Sequence, residues 1–153
     1  MVTHSIPGKG DQFLPFVIME LSRRIQVITR KKIVNESGWF LKTMTGAEEN
    51  LPSTFGECYI SSGLPGQWRA SHYHNLATEW FTLLQGKCML KLVDIKTGEK
   101  KNIQLDADKP ETIMVPPGIA HLFENNGDCT FILSVYSSER FDPSDTVLFN
   151  FEK

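Results

Sequence analysis

Residues 66–86 read GQWRASHYHNLATEWFTLLQG, and residues 116–125 read PPGIAHLFEN. The first stretch places His72, His74 and Glu79 at fixed intervals between two glycines, and the second places His121 shortly after a Pro-Pro-Gly turn. Side chains two apart on a strand leave the same face, so we expect His72 and His74 to project together. If Glu79 opens the next strand of a hairpin and a distant strand supplies His121, four donors can meet at one point.

Short β-like runs separated by turn signals surround these two stretches. Turn residues recur at 64–66, 96–98 and 126–128, between runs rich in β-branched and aromatic residues. Evenly spaced short strands of this kind are typical of a sandwich or jelly roll. The expected strands are 25–34, 39–44, 58–61, 67–74, 79–84, 88–94, 101–105, 112–115, 121–124 and 130–136.

The length of 153 residues and the apolar content of 41% suit one well-packed domain. We therefore expect a single domain over 1–153, in which residues 1–12 form a flexible arm. Residues 13–21 are dense in apolar side chains and predict a short helical or irregular N-terminal segment, with a strand as the alternative.

The charge and the cysteines exclude several classes of protein. A formal net charge of -2 and a pI near 6.1 predict no general attraction to nucleic acid or to an anionic membrane. No stretch approaches the twenty apolar residues of a membrane helix and no leader-like pattern opens the chain, so we expect a cytoplasmic protein. Cys58, Cys88 and Cys129 are odd in number and widely spaced, which argues against a disulfide framework.

The spacings of both stretches resemble the two signatures of the cupin fold. Within cupins, residues 36–40, 69–73 and 116–123 are similar, in the same order, to segments of the dTDP-4-keto-rhamnose 3,5-epimerase group. The resemblance implies an all-β jelly roll and an enzyme of nucleotide-sugar metabolism. Cupins of this group pair their sheets into dimers, so it also implies a homodimer.

A closer likeness is to the cupin domain of capsular-polysaccharide enzymes that epimerise and reduce nucleotide-linked 4-keto sugars. That domain also runs His-Tyr-His-x4-Glu, then Pro-Pro-Gly-x2-His, then a Ser-Glu-x-Phe-Asp-Pro segment, which residues 138–143 match. The resemblance implies His72, His74, Glu79 and His121 as ligands of a divalent metal ion. Imidazole and carboxylate suit Zn, Fe, Ni or Mn about equally, so the identity of the ion stays open.

The resemblance leaves the catalytic groups open. In the rhamnose-type epimerase the residue that matches His72 is the general base and no metal is needed, whereas in cupins with the full signature that histidine is a ligand. The acid of the rhamnose-type enzyme is a tyrosine whose place is taken here by Ser134. Tyr136 shares a strand face with Ser134 and is the candidate replacement, and Tyr59 is a further candidate by residue type.

The resemblance implies that Arg69 binds the substrate diphosphate. Lys91 and Arg140 are the basic alternatives, and Tyr59 is a further expected substrate contact. Arg69 faces away from His72 if its strand is regular. A bulge near Trp68 is needed to turn it towards the histidines.

The sequence thus predicts an epimerase acting at C3, or at C3 and C5, of a nucleoside-diphosphate 4-keto-6-deoxy sugar in surface polysaccharide synthesis. The alternatives are a sugar 3,4-ketoisomerase, a metal- or sugar-binding cupin without turnover, and a metal-dependent dioxygenase. The 3,4-ketoisomerases share Arg69, His72 and His74 but lack the glutamate found at Glu79, so Glu79 favours a metal-binding cupin.

Overall fold

Twelve short strands and one helical turn make up the regular structure of residues 20–151, the part of the chain that the computed structural model describes. The expected arm at 1–12 and nearly all of the segment at 13–21 lie outside the described residues. The elements are α1 (Leu21–Arg24), β1 (Gln26–Thr29), β2 (Lys32–Asn35), β3 (Gly38–Leu41), β4 (Glu57–Gly63), β5 (Trp68–His74), β6 (Glu79–Gln85), β7 (Lys87–Asp94), β8 (Lys100–Asp106), β9 (Glu111–Val115), β10 (Ile119–Glu124), β11 (Phe131–Ser137) and β12 (Thr146–Leu148).

Two five-stranded antiparallel sheets form the body of the fold. The first sheet has the order β1-β9-β6-β11-β4, and the second has the order β12-β5-β10-β7-β8. Strands β2 and β3 pair with each other as a separate hairpin. Consecutive strands are often in different sheets, which is the crossing pattern of a jelly roll. The all-β cupin jelly roll expected from the sequence is confirmed.

The core lies between the inner faces of the two sheets. In β11 the residues Phe131, Leu133, Val135 and Ser137 are buried and alternate with half-buried neighbours. This alternation has the two-residue period of a strand with one face against a core. The inner face of the first sheet therefore includes Ser137, and the residues between these positions point to the outer face.

The strand boundaries agree with the turn chemistry of the sequence in most places. The run predicted at 25–34 is divided into β1 and β2, and the strand predicted at 39–44 ends earlier, as β3. Strand β12 was not anticipated, because three residues carry too little periodicity to indicate a strand. None of the helices in residues 20–151 is long and apolar enough to cross a membrane.

A glycine turn joins the two sequence stretches that carry the histidines. Gly118 has a φ of 78°, which residues with a side chain rarely adopt, and its N–H donates to the carbonyl of His74 at 2.8 Å. The turn after Pro116 is therefore hydrogen-bonded to the end of β5. This bond brings the start of β10, and with it His121, beside His72 and His74.

Strand β5 contains a β-bulge at Ala70 and Ser71. Both residues have positive φ, 69° and 74°, and the pairing with β10 shifts so that His121 is opposite His72 while Leu122 is opposite Ala70. Ser71 is the extra residue, and its hydroxyl donates to the carbonyl of Phe149 at 2.7 Å. The bulge puts Arg69 on the same strand face as His72, although they are three residues apart.

A buried ion pair holds the loop after β3 against the first sheet. Nη2 of Arg30 lies 2.7 Å from Oε1 of Glu48, and both side chains are less than a tenth exposed. The Nε of Arg30 also donates to the hydroxyl of Thr112 on β9. Burial alone would raise the pKa of Glu48, but hydrogen bonds from Arg30 and Thr45 lower it to about 2.

We predict that Glu48→Gln lowers the free energy of unfolding by about 2 kcal/mol at pH 7, because a buried charged hydrogen bond is lost. Because the pKa of Glu48 is lowered in the folded state, its contribution is complete above the ordinary value near 4.5 and is lost as the pH falls towards about 2. Urea unfolding at pH 7 and pH 3 measures both effects. Glu49→Gln is the matched control, and equal stability of the two variants at pH 7 would contradict the prediction.

Candidate metal centre

Three strands from both sheets bring one cluster of donors together. His72 and His74 lie on β5, His121 lies opposite His72 on β10, and Glu79 is the first residue of β6 in the facing sheet. The candidate ligand atoms of these four residues all lie within 4.8 Å of one another. The structure therefore places the four residues predicted as ligands around a common point.

Glu79 lies between two of the imidazoles. Its Oε2 is 3.3 Å from Nε2 of His74 and 3.2 Å from Nε2 of His121, and both Glu79 and His121 are almost fully buried. These contacts lack hydrogen-bond geometry, so the three atoms have no hydrogen-bond partner among the described residues. The ring of His72 is 4.9 Å from that of His74 and 4.8 Å from that of His121, centroid to centroid.

The pKa values of His72 and Glu79 are both lowered, by different causes. Burial, together with the nearby imidazoles of His121 and His74, lowers the pKa of His72 to about 4, so this ring is neutral at pH 7. Burial alone would raise the pKa of Glu79, but the contacts with His121 and His74 hold it well below its ordinary value. A neutral imidazole and an ionised carboxylate are the forms that bind a metal ion.

The pKa of His74 moves the other way. Burial alone would lower it, but the Glu79 and Asp145 carboxylates raise it above the ordinary value of a histidine. Nδ1 of His74 lies 3.7 Å from Oδ2 of Asp145. An acidic group beside the second nitrogen of a ligand histidine is a common way to orient the ring.

Other neighbours fix the remaining ligands. Nδ1 of His121 lies 3.2 Å from the carbonyl oxygen of Ile119, and in the tautomer that donates this bond the lone pair is on Nε2. The hydroxyl of Tyr59 donates to Oε1 of Glu79 at 2.9 Å. Burial and the adjacent Glu79 carboxylate raise the pKa of Tyr59, so this hydroxyl stays protonated. Oε2 of Glu79 is thereby left to face the histidines.

The arrangement fits a divalent metal ion. Buried polar atoms without partners are rare in folded proteins, and here three of them converge. Nitrogen and carboxylate donors in this mixture suit Zn, Fe, Ni or Mn better than Ca or Mg. His72, His74, Glu79 and His121 are the residues that would hold such an ion.

A cavity of about 310 Å³ opens in front of the cluster. The cluster itself contributes His72, His74 and Glu79 to the cavity wall. The rest of the wall comes from Glu57 and Tyr59 on β4, from Ala77 and Ser137, and from residues within 139–146 after β11. A small molecule in this cavity can contact the donor cluster from one side, since the apolar core around Phe81 and Phe123 lies on the other side.

Tyr136 does not reach this cavity. It pairs with Trp80 on β6 and Cys58 on β4, whereas its neighbour Ser137 pairs with Glu79. Its ring packs against those of Trp80 and Phe55, at centroid distances of 5.4 and 5.5 Å. Tyr136, the candidate acid, therefore lies with Ser134 on the outer face of the sheet, because cross-strand partners share a face.

The two basic residues predicted to bind substrate also lie outside the cavity. The bulge in β5 turns Arg69 to the histidine face, but its Nε donates to the carbonyl of Ser62 and its side chain is exposed. Nζ of Lys91 forms an ion pair with Glu124 at 2.5 Å. Of the basic alternatives, Arg140 is the one that lines the cavity.

Asp145 and Glu57 line the cavity but belong to neither sequence signature. The carboxylate of Asp145 accepts the backbone N–H groups of Asn75, Leu76 and Ala77 at 2.9, 2.8 and 3.1 Å, which forms the turn between β5 and β6. Asp145 is about seventy residues from that turn, so no local pattern pairs them. Glu57 is two residues from Tyr59, so the two side chains share a strand face, and this spacing is the sequence pattern that indicates Glu57.

Two facing antiparallel sheets enclose three histidines and a glutamate. This is the arrangement of a cupin whose clustered side chains are of the types that bind metal ions. Residues 38–148 match the family described as polysaccharide biosynthesis C-terminal domain, and the chain belongs to that family. A curated relative is the spore coat polysaccharide biosynthesis protein SpsL of Bacillus subtilis. It is 24% identical over 120 residues, which are 74% of this chain and 80% of the relative.

Solved structures of low sequence identity share the fold. A dTDP sugar isomerase from Desulfovibrio desulfuricans is 22% identical with a TM-score of 0.76, over 82% of this chain and 83% of that one. A 4-keto-6-deoxy sugar epimerase of Streptomyces spheroides is 20% identical with a TM-score of 0.70, over 80% and 67%. The capsular polysaccharide assembling protein CapF of Staphylococcus aureus is 23% identical with a TM-score of 0.61, over 80% and 34%.

We predict that Asp145→Ala lowers the free energy of unfolding by about 3 kcal/mol, because three backbone N–H groups at the β5–β6 turn lose their charged acceptor. Urea unfolding measures the change. The control is Asp142→Ala, which removes an exposed carboxylate whose partner is the nearby Ser144 and is expected to change the stability much less. Similar values for both variants would contradict the assignment of Asp145.

Proposed function

We propose that this protein is an epimerase that inverts C3, or C3 and C5, of a nucleoside-diphosphate 4-keto-6-deoxy sugar used for a surface polysaccharide. The observation that carries the proposal is the cluster of His72, His74, Glu79 and His121 at the floor of an open cavity. The family and the sugar epimerase and isomerase named above support the substrate class. A nucleotide sugar is thus the proposed small-molecule partner.

The chemistry of a 4-keto sugar explains why such a site is suitable. The hydrogens on the carbons beside the carbonyl are acidic, and removing one of them leaves an enolate whose negative charge must be stabilised. A bound divalent cation supplies Lewis-acid stabilisation of that charge, which is worth several kcal/mol. The residues of the chain then have to bind the sugar nucleotide and remove the proton.

We assign His72, His74, Glu79 and His121 to the cation, which excludes His72 as the base. Burial and neighbouring imidazoles keep His72 neutral at pH 7, and its ring faces the other three donors. Tyr59 donates to Glu79 and orients its carboxylate. The ring of Tyr59 also forms part of the cavity wall, where it is available to the sugar.

Arg140 is proposed to bind the diphosphate. It lines the cavity, its side chain is exposed, and it makes no ion pair with the residues described in 20–151. A guanidinium offers a planar fork of donors that matches phosphate oxygens. Arg69 and Lys91 are held elsewhere by Ser62 and Glu124. The homodimer and the cytoplasmic location expected from the sequence stay predictions.

A binding protein without turnover is the second candidate. It is favoured by one observation, the outward position of Tyr136, because the cavity then lacks the tyrosine that serves as the acid in the rhamnose-type epimerase. The two candidates make opposite predictions for exchange of the carbon-bound hydrogens with solvent.

Metal binding is tested on the purified protein. We expect one divalent cation per chain, and a higher free energy of unfolding by about 2.7 kcal/mol when the free cation is at 100 times its dissociation constant. His121→Gln is expected to weaken cation binding by more than about 100-fold. Loss of a residue that only orients a ligand costs up to about 100-fold, and here the ligand itself is lost. Isothermal titration with Zn²⁺ and elemental analysis measure the binding. Tyr136→Phe, on the outer face, is the control, and unchanged affinity in His121→Gln would contradict the ligand assignment.

Catalysis is tested in deuterated water with dTDP- and UDP-linked 4-keto-6-deoxyglucose. We expect solvent deuterium at the carbon beside the keto group, detected by proton NMR, together with an inverted centre in the product. A carbonyl that moves to C3 would identify a 3,4-ketoisomerase, and oxygen consumption would identify a dioxygenase. Binding of both nucleotide sugars without deuterium incorporation would contradict the epimerase and support the binding protein.

A further inference from the structure

Two carboxylates that line the cavity, those of Glu57 and Glu139, make no hydrogen bond or ion pair within residues 20–151. Glu57 is the first residue of β4, is half-buried and lines the cavity in front of the histidines. Within residues 20–151 its side chain makes no hydrogen bond and no ion pair. Glu57 belongs to neither sequence signature, and it is not part of the donor cluster.

The strand register shows where this carboxylate points. Ser137 on β11 pairs with Glu57 on one side and with Glu79 on the other. Paired residues share a face, and neighbouring strands are about 4.8 Å apart, so the backbones of Glu57 and Glu79 are separated by about 10 Å across Ser137. The small side chain of Ser137 leaves the space between the two carboxylates open.

Other cavity groups are already committed to structural contacts or to the donor cluster. Asp145 accepts three backbone N–H groups, and the hydroxyl of Tyr59 donates to Glu79. His72 belongs to the donor cluster. Glu57 differs from all of these because its carboxylate is free. It differs from Glu139, which is exposed and follows the end of β11, because it is half-buried on a strand whose six following residues pair with β11.

We propose that Glu57 is the general base of the epimerisation, an inference that rests on the proposed function. Its carboxylate removes the proton from the carbon beside the keto group. The electron pair of the C–H bond becomes the C=C bond of the enolate, and the C=O π pair moves to oxygen. Water then protonates the same carbon on the opposite face, and the hydroxide formed takes the proton from Glu57.

The position of Glu57 suits this role. A base must come within hydrogen-bond reach of the proton it removes, about 2.6–3.2 Å between heavy atoms. A sugar whose keto oxygen faces the donor cluster has its neighbouring carbons in the space between that cluster and β4. Glu57 lies across that space, whereas Glu79 is part of the cluster itself. Two carboxylates on one sheet thus have different roles because one is enclosed by imidazoles and the other is not.

The test compares Glu57→Gln with the wild-type protein in the deuterium-exchange experiment. We expect the exchange rate at saturating substrate to fall by at least about 100-fold, with little change in KM and an unchanged Zn²⁺ content. The matched control is Glu111→Gln, which alters a half-buried glutamate on β9 of the same sheet, four residues from the partner of Glu79. Exchange in Glu57→Gln within threefold of the wild type would overturn the proposal.

A second variant covers the case in which the glutamine disturbs the site. Glu57→Ala leaves a space for an external carboxylate, and added formate is expected to restore deuterium exchange in this variant and not in His121→Gln. Failure of formate to restore exchange in a folded Glu57→Ala protein that retains Zn²⁺ would also overturn the proposal. If the wild-type protein itself shows no exchange, the proposed epimerase activity fails, so the two hypotheses are distinguishable.

Discussion

The burial of one negative charge determines much of this structure. The Glu79 side chain is only 4% exposed, and an isolated carboxylate in such a place would cost several kcal/mol. Its two oxygens are divided between different neighbours: Oε1 accepts the Tyr59 hydroxyl, while Oε2 faces His74 and His121. The arrangement is stable only if those groups stay in place, so the positions of β4, β5 and β10 around β6 are all linked to Glu79.

The donor cluster lies between the packed core of the fold and the open cavity. Below the cluster, Phe81 packs against both His121 and Phe123, with ring centroids 5.2 and 4.8 Å apart. Above it, the wall consists of polar side chains on β4 and of the segment that follows β11. Donors that are fixed by a packed core need little reorganisation when a ligand arrives, which is the property expected of a site that stabilises developing charge.

Local patterns in the sequence predicted most of the strands and the convergence of the four donor residues. His72 and His74 are two residues apart, and Glu79 and His121 each follow a turn that glycine or a polar loop indicates, so their convergence follows from spacing. Tyr136 could not be placed in the same way. Its face depends on the pairing of Ser137 with Glu79, and counting along the chain from His121 passes through the irregular segment 125–130. Long-range register was the missing information.

Two further features were hidden for a related reason. The bulge in β5 occurs at Ala70 and Ser71, and neither residue type indicates a positive φ, so the orientation of Arg69 was not readable. Asp145 and Glu57 contribute through contacts with parts of the chain that are distant in sequence. The resemblance to known cupins supplied the ligands, but it did not supply the residues that are particular to this cavity wall.

The contacts of Asp145 affect the order in which the site can form during synthesis. All four donor residues have been made once the ribosome has passed residue 121, yet the turn after His74 gains its acceptor only from Asp145, and β5 gains its second neighbour only from β12. A nascent chain that ends between residues 121 and 145 therefore contains the four donors without the carboxylate that lies beside His74. Proteolytic loss of this short stretch would remove the same support, so the geometry of the donor cluster depends on a chain that has been completed through β12.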